Sequence, residues 1–231
     1  MSGIYIHIPF CKQACHYCDF HFSTNLKKKD EMVLALAKEI EMRKSEFQDE
    51  IVETIYFGGG TPSILQIADL KFLIDAVYKN YKVVENPEIT VEANPDDLTE
   101  NRIIELSNNK VNRLSIGIQS FFEDDLQLMN RAHNVEEAKK CLEIATHYFD
   151  NISIDLIYGV PEMSNEKWLQ NIETALSFGV PHISSYALTV EPKTALHSFI
   201  QKGIIPQPDD EVAQEHFQIL VDKLSENGFI H

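Results

Sequence analysis

Residues 4–18, Ile4-Tyr5-Ile6-His7-Ile8-Pro9-Phe10-Cys11-Lys12-Gln13-Ala14-Cys15-His16-Tyr17-Cys18, join an apolar, β-rich run directly to three closely spaced cysteines. The chain has four cysteines, and the fourth, Cys141, lies far downstream in a helical pattern, so no disulfide framework is indicated. The C-x3-C-x2-C spacing brings three thiolates around one centre without a fourth. Because iron–sulfur clusters are normally held by four thiolates, three cysteines predict a cluster with one iron open to a substrate.

Zinc is the main alternative at this loop, because three cysteines with His16 or His21 would complete a tetrahedral site. Structural zinc sites usually use two separated knuckles, however, and the sequence has no second one. Three buried cysteines without a ligand are disfavoured, since Lys12 and Gln13 mark the loop as polar. Cys141 lies on the apolar face of a predicted helix and is expected to pack in the core.

Length and composition predict a globular protein of the cytoplasm, where thiols stay reduced. At 231 residues, with 44% hydrophobic and 24% charged residues, the chain can bury a large core. The net charge of −16 argues against a nucleic-acid or anionic-membrane surface, and Lys27-Lys28-Lys29 is too short a basic run to reverse it. No window approaches the roughly 18 apolar residues of a membrane span.

Six β-rich runs alternate with six amphipathic helical patterns along the chain. The predicted strands are 3–8, 54–57, 88–92, 113–118, 151–156 and 182–188, and the predicted helices are 29–45, 67–79, 99–107, 135–148, 165–177 and 209–226. Such alternation predicts an α/β fold whose parallel sheet is closed or partly closed into a barrel. No linker interrupts the pattern, so residues 1–231 are predicted to form one domain.

Chemically distinctive residues cluster at the carboxyl ends of the predicted strands, where parallel α/β folds place their ligand sites. The first strand leads into the cysteine loop, and the second leads into Gly58-Gly59-Gly60-Thr61-Pro62-Ser63. The third, fourth and fifth carry Glu92, Gln119 and Asp155, and the sixth ends near Ala187. We therefore expect these loops to form one site.

Structural roles are the alternative for these residues. Three consecutive glycines permit positive φ or a close backbone approach, while residues 61–63 would cap the next helix. The segment is not G-x-G-x-x-G, so a dinucleotide site is weakly supported. An unpaired carboxylate is costly to bury, so Glu92 and Asp155 each need a cation, a hydroxyl or an amine nearby. A structural salt bridge to Arg113 or Arg131 is the alternative explanation.

The chain resembles the radical S-adenosylmethionine (SAM) superfamily over nearly its whole length. The resemblance rests on residues 5–18, Gly58-Gly59-Gly60-Thr61-Pro62, Arg113-Leu114-Ser115-Ile116-Gly117-Ile118-Gln119-Ser120 and Asp155-Leu156-Ile157-Tyr158-Gly159. More narrowly, these segments resemble the group that contains the oxygen-independent coproporphyrinogen III oxidase and the heme chaperone HemW. The resemblance implies a partial (β/α)6 parallel barrel of the radical SAM type.

The same resemblance implies two cofactors and their ligands. Cys11, Cys15 and Cys18 would hold a [4Fe–4S] cluster whose fourth iron is chelated by the amino and carboxylate groups of SAM. The reduced cluster then gives an electron to the sulfonium, which releases methionine and a 5′-deoxyadenosyl radical. The SAM-pocket residues implied are Tyr5, Tyr17, Gly59, Gly60, Thr61, Glu92, Gln119, Arg131, Asp155 and Ala187. In the oxidase some of these positions face a second SAM, and whether one binds here is left open.

Three features favour the chaperone branch over the oxidase. The oxidase has a further cysteine two residues after the third cluster cysteine, where this chain has Phe20, and a longer N-terminal arm. Arg131-x-His133 is also typical of the chaperone branch. We therefore expect heme or a porphyrin as ligand, delivery to an acceptor hemoprotein, and a low-potential electron donor such as flavodoxin or ferredoxin. The alternatives are a coproporphyrinogen III oxidase, which forms protoporphyrinogen IX by radical chemistry, and a zinc-stabilised α/β binding module.

The resemblance also implies a further C-terminal domain. In the chaperone branch a heme-associated His-Asn-x-x-Tyr-Trp segment follows the core, whereas this chain stops at Gly228-Phe229-Ile230-His231. We therefore expect residues 1–231 to be the radical SAM core domain of a longer protein.

Overall fold

Six parallel strands in sequential order form the single sheet of this computed structural model, which describes residues 2–47 and 50–231. The strands are β1 Ser2–Ile8, β2 Val52–Gly59, β3 Val83–Ala93, β4 Arg113–Gln119, β5 Ile152–Tyr158 and β6 His182–Ala187. Every neighbouring pair is parallel. Within the described residues β1 and β6 do not pair with each other, so the sheet is open, as the predicted partial barrel requires.

Helices follow the strands throughout the described part of the chain. They are α1 Lys29–Met42, α2 Ile67–Asn80, α3 Glu100–Ser107, α4 Glu123–Leu128, α5 Val135–Tyr148, α6 Asn165–Ser177, α7 Ala195–Gln201 and α8 Asp210–Glu226. All six predicted helices are confirmed, whereas α4 and α7 were not predicted, because six or seven residues show too little of a 3.6-residue period. None of the described helices is long and apolar enough to cross a membrane.

Among the element boundaries that differ from the prediction, two have a local reason. The predicted helix over 29–45 ends at Met42 and continues as a 3-10 turn, Arg43–Phe47. β3 begins at Val83, five residues earlier than predicted, because it passes Pro87 through a register shift against β2. Proline lacks the N–H that a regular ladder needs, which is why such a residue normally marks a strand end or a bulge.

Alternate strand residues face opposite sides of the sheet. One side carries the apolar residues, such as Ile8, Ile55, Phe57, Val91 and Leu156, and these are almost completely buried under the helices. Cys141 also lies in this core, 2% exposed, as predicted. The concave side is polar, and its strand positions include Tyr5, His7, Tyr56, Glu92, Ser115, Ser153, Asp155 and Ser184. A parallel sheet that is apolar on one face only therefore has its open face available for a ligand.

A buried polar network fixes the chain that leaves β4. Ser120 Oγ donates to Asp125 Oδ2 at 2.7 Å, and Lys167 Nζ donates to Asp125 Oδ1 at 2.6 Å. Asn171 Oδ1 accepts the Phe121 N–H at 2.6 Å. These contacts hold α4 against α6. They therefore also fix the path of the segment after α4, which runs towards the loop after β1.

Candidate functional site

The three clustered cysteines lie in the loop after β1, at the carboxyl ends of the strands. Each thiol is free and half-buried. The loop is closed on itself by two backbone hydrogen bonds, from Cys11 N to the Ser23 carbonyl at 3.1 Å and from Ser23 N to the Pro9 carbonyl at 2.9 Å. The cysteines are therefore held on a loop with a defined backbone path.

Contacts with distant elements also position this loop. Gln13 Nε2 donates to the Asn130 carbonyl at 2.8 Å, and Asn130 Nδ2 donates to the Ala14 carbonyl at 2.7 Å. The His16 carbonyl accepts the Leu196 N–H at the start of α7, at 2.8 Å. The cysteine loop thus joins the first βα unit to the fourth and to the segment after β6.

The arrangement of the loop does not suit a single zinc ion. Zinc requires its ligands about 2.0–2.3 Å from one centre. In residues 2–47 and 50–231, no group of three His, Cys, Asp or Glu side chains is arranged to hold one ion. His16, one of the two predicted fourth ligands beside His21, makes other contacts: its Nδ1 lies 2.8 Å from the Leu128 carbonyl and its ring packs edge-on against Phe199. In a [4Fe–4S] cluster each thiolate binds a different iron, so the three thiolates need not converge on one ion.

Burial and mutual proximity shape the chemistry of the thiols. Burial raises the pKa of Cys11 and of Cys18, and the charge of the neighbouring Cys15 raises both further. A hydrogen bond with Thr61 partly opposes this effect on the pKa of Cys11. The three thiols therefore face one region, where the positive charge of iron would favour their deprotonation.

The glycine turn after β2 brings that strand against β1. Gly59 has φ +113°, a conformation that favours glycine, and a Cβ on Gly60 would stand 2.6 Å from the Phe10 carbonyl oxygen. The close approach lets Thr61 N donate to the same carbonyl at 2.7 Å. Thr61 does occupy the N-cap of the 3-10 turn Pro62–Ile64, with Pro62 at its start, but the Thr61 side chain makes no capping hydrogen bond.

Glu92 is held by neutral donors at the end of β3. Tyr56 Oη donates to Glu92 Oε1 at 2.8 Å, and the Gly59 N–H donates to Oε2 at 3.0 Å. The predicted alternative of a salt bridge to Arg113 or Arg131 is wrong for Glu92, since no salt bridge joins Glu92 to either arginine within the described residues. No ion pair engages Glu92 within the described residues, so its carboxylate can pair with a cationic ligand group.

Asp155 faces Glu92 across the concave side of the sheet. Burial raises the pKa of Asp155 to about 6, and the charge of Glu92 contributes. Arg131, Ser184 and Arg113 oppose the shift in that order. No ion pair joins Asp155 to either arginine in the described chain, so the salt-bridge alternative is wrong here as well. The carboxyl groups of Asp155 and Glu92 thus share the concave side of the sheet.

Arg131 links the cysteine loop to the ends of β3 and β4. Its Nη1 donates to Cys15 Sγ at 3.3 Å and to the Tyr17 hydroxyl at 3.4 Å. Its Nη2 donates to Asn94 Oδ1 at 2.6 Å and to the Gly117 carbonyl at 2.9 Å. Nε is buried without a partner. A guanidinium in direct contact with a thiol at this position fits an anionic cofactor.

The remaining predicted residues lie around the same opening, and they differ in burial and in the contacts that they make. Gln119 is buried and has φ +68°, which is unusual for a residue other than glycine and is typical of functional sites. Tyr17 packs inside beside Arg131, whereas Tyr5 is 56% exposed and stacks on Tyr56 with ring centroids 5.8 Å apart. Ala187 ends β6, in register with Tyr158 at the end of β5.

Tyr56, Asn94 and Gly117 belong to the site but were not predicted as site residues. Tyr56 and Asn94 hold Glu92 and Arg131, and a Cβ on Gly117 would stand 2.9 Å from Gln119 Nε2 and 3.1 Å from Arg131 Nη2. Strand alternation places Tyr56 on the same face as Gly58, and this signal was available in the sequence.

The comparisons with known proteins agree with this geometry. The model of the Radical SAM superfamily matches residues 5–175. The heme chaperone HemW of Bacillus subtilis is 38% identical over 231 residues, covering 99% of this chain and 61% of that protein. HemW of Escherichia coli is 37% identical over 211 residues, covering 90% of this chain and 55% of its own. The chain thus spans about 60% of the length of these relatives.

A solved structure matches the whole fold. The coproporphyrinogen III oxidase HemN from Escherichia coli, a radical SAM enzyme, superposes with a TM-score of 0.87 at 27% identity, covering 99% of this chain and 53% of that one. The open six-stranded sheet and the loop after its first strand therefore have a direct counterpart among known structures.

Proposed function

Since this chain belongs to the radical SAM superfamily, we propose that it is the core of a heme chaperone that binds a [4Fe–4S] cluster and SAM. Membership in the superfamily implies the cluster and SAM, whereas heme is suggested by the names of the relatives. The observation that carries the proposal is the half-buried three-cysteine loop at the strand ends, beside Glu92, Asp155 and Arg131.

Cys11, Cys15 and Cys18 are the proposed cluster ligands. They are the only cysteines in the chain outside the core, and they supply three thiolates, which leaves one iron for SAM. When bound, the cluster and SAM supply one-electron cleavage of the sulfonium to methionine and a 5′-deoxyadenosyl radical. The loop contacts described above orient the three thiols, and Arg131 supplies a positive charge beside them.

The concave face supplies the proposed SAM pocket. Glu92 is oriented by Tyr56 and Gly59 and can accept from the amino group of SAM. Asp155 and Gln119 lie on the neighbouring strand ends, where they can accept from or donate to hydroxyl groups. Tyr5, Tyr17, Gly60, Thr61 and Ala187 complete the proposed set.

Delivery of heme is the proposed task of the full-length protein. Phe20 supports the chaperone branch, since it offers no thiol at the position of the oxidase's extra cysteine, and its side chain is 72% exposed. The oxidase is the second candidate, and the structural match to HemN favours it. Heme, its acceptor and the electron donor would be engaged by a protein longer than this chain.

Four measurements on the full-length protein test the proposal. After anaerobic reconstitution we expect about four iron and four sulfide per chain, stable heme binding by absorbance, and transfer of heme to an apo-hemoprotein. Coproporphyrinogen III should not be consumed under reducing, anaerobic conditions. Its conversion to protoporphyrinogen IX would contradict the chaperone assignment and favour the oxidase function. Stoichiometric zinc without sulfide would refute the proposal of a [4Fe–4S] cluster.

A further inference from the structure

We propose that Arg131 is a positioning residue that raises the reduction potential of the cluster held by the cysteine loop. The inference rests on the proposed function, because it requires a [4Fe–4S] cluster at Cys11, Cys15 and Cys18. It gives Arg131 a task towards a cluster thiolate that is separate from the SAM-pocket position implied by the family resemblance.

The contact between Arg131 and Cys15 is the first support. Nη1 lies 3.3 Å from Cys15 Sγ, within hydrogen-bond distance for sulfur. Once the thiol binds iron it is a thiolate, and a bond from a guanidinium to an anion is stronger and shorter than one between neutral groups. The contact therefore gains strength in the cluster-bound protein.

The guanidinium is fixed from the side opposite the cysteine. Nη2 is tied to Asn94 Oδ1 at 2.6 Å and to the Gly117 carbonyl at 2.9 Å. Two residues further along the chain, His133 Nε2 lies 3.0 Å from the Ile118 carbonyl and holds this segment on β4. The group cannot turn away from Cys15 without giving up these bonds, so its geometry is set before the cluster binds.

Arg131 forms no direct ion pair with a carboxylate within the described residues, and Asp155 interacts with its charge only without such contact. Other partly buried cations are paired, such as Lys167 with Asp125 and Lys29 with Asp69. A buried cation without an anionic partner is costly, and Nε of Arg131 additionally lacks any hydrogen-bond partner. An anionic cluster next to Nη1 would offset that cost.

The sign of the effect follows from charge. Reduction adds one negative charge to the cluster, so a nearby cation and a hydrogen bond to sulfur stabilise the reduced form more than the oxidised form. Hydrogen bonds to the sulfurs, net charge and solvent exposure are the factors by which proteins set cluster potentials. Arg131 supplies both a hydrogen bond to sulfur and a positive charge at one ligand, Cys15. The cluster therefore becomes easier to reduce by a low-potential donor.

Potentiometric titration of the reconstituted protein, followed by the electron paramagnetic resonance signal of the reduced cluster, tests this assignment. We expect Arg131→Met to disfavour the reduced cluster by at least about tenfold, which is about 59 mV for one electron. Arg131→Gln should behave similarly, and Arg131→Lys, which keeps the charge, should shift the potential less. Arg113→Met is the control, since Arg113 lies at the far end of β4 and donates to Thr90 at 3.4 Å.

The outcomes separate this inference from the proposed function. Unchanged potentials in Arg131→Met and Arg131→Gln, with full iron and sulfide, would overturn the inference and leave the proposed function intact. Equal shifts of the reduction potential in Arg113→Met and Arg131→Met would also overturn the inference, because the effect would then not depend on distance from the cluster. Loss of the cluster in all three Arg131 variants would also overturn the inference, because Arg131 would then be needed to retain the cluster and not to set its potential. Wild-type protein without a cluster would refute the proposed function itself.

Discussion

At the scale of single residues, the two carboxylates of the concave face differ in what holds them. Glu92 is oriented by a tyrosine hydroxyl and a backbone N–H, whereas Asp155 is half-buried with only a serine hydroxyl and distant cations to stabilise its charge. A carboxyl group whose pKa is shifted by burial and by a neighbouring charge is typical of a functional site, and Asp155 is such a group. The two residues therefore give separate predictions.

Glu92→Ala should weaken SAM binding by about 1–3 kcal/mol, the usual cost of removing one partner of a buried polar contact. Isothermal titration of the cluster-loaded protein measures this value. Glu88→Ala is the matched control, because Glu88 lies on the same strand, four residues before Glu92, and contacts Asn151 instead. Equal affinities in wild type and Glu92→Ala would show that Glu92 only ties down the glycine turn.

Asp155 should make the stability of the apo-protein depend on pH. Its pKa is raised from 3.8 to about 6, so the folded state binds the proton more tightly than the unfolded state. The stabilisation is present below about pH 4 and is lost as the pH rises through about 6, with a size of about 1–3 kcal/mol. Urea unfolding at several pH values should show this loss in wild type and its absence in Asp155→Asn.

At the scale of the elements, the glycine turn is a packing device between β1 and β2. A side chain on Gly60 would meet backbone atoms of Ile8 and Phe10, which cannot move without breaking the strand register. Gly60 therefore serves the close approach of two strands, and the site benefits because that approach brings Thr61 next to Cys11.

Gly60→Ala should lower the free energy of unfolding by about 3 kcal/mol, at the upper end of the usual cost of overpacking. Gly203→Ala is the comparison, since Gly203 has φ +69° and open space around its Cα. That change should cost about 1 kcal/mol from backbone strain alone. Denaturant unfolding of both variants gives the difference, and equal losses would mean that the close approach relaxes easily.

At the scale of the whole molecule, the cysteine loop connects parts of the chain that are far apart in sequence. It bonds to Asn130 beyond α4 and to Leu196 at the start of α7. The two helices that escaped prediction are therefore the ones next to the loop. We therefore expect cluster binding to stabilise segments well beyond residues 11–18.

Cluster loading should slow amide hydrogen exchange in residues 126–131 and 195–198 as well as in the loop itself. The physical reason is that local opening of these segments would break contacts with a loop that metal binding holds closed. Hydrogen exchange with and without the cluster measures the effect, and α2, on the outer face, should not change. Protection confined to residues 11–18 would contradict the connection.

The amino-acid sequence by itself determined the architecture and the position of the site. Strand and helix periodicity is local, so six βα units, the cysteine spacing and the core role of Cys141 could all be inferred without coordinates. The family resemblance added the SAM-pocket residues, and most of them lie around one opening. Short helices such as α4 carry too little periodicity, although three acidic residues, Glu123, Asp124 and Asp125, marked its first turn.

Only the tertiary structure decided which groups meet. The contact of Arg131 with Cys15 joins residues 116 positions apart, and the bond from Tyr56 to Glu92 joins neighbouring strands. The same applies to His16, which sequence offers as a zinc ligand and the fold directs to Leu128. Such pairings depend on strand register and loop path, which arise from the packing of the whole sheet, and no local pattern encodes them.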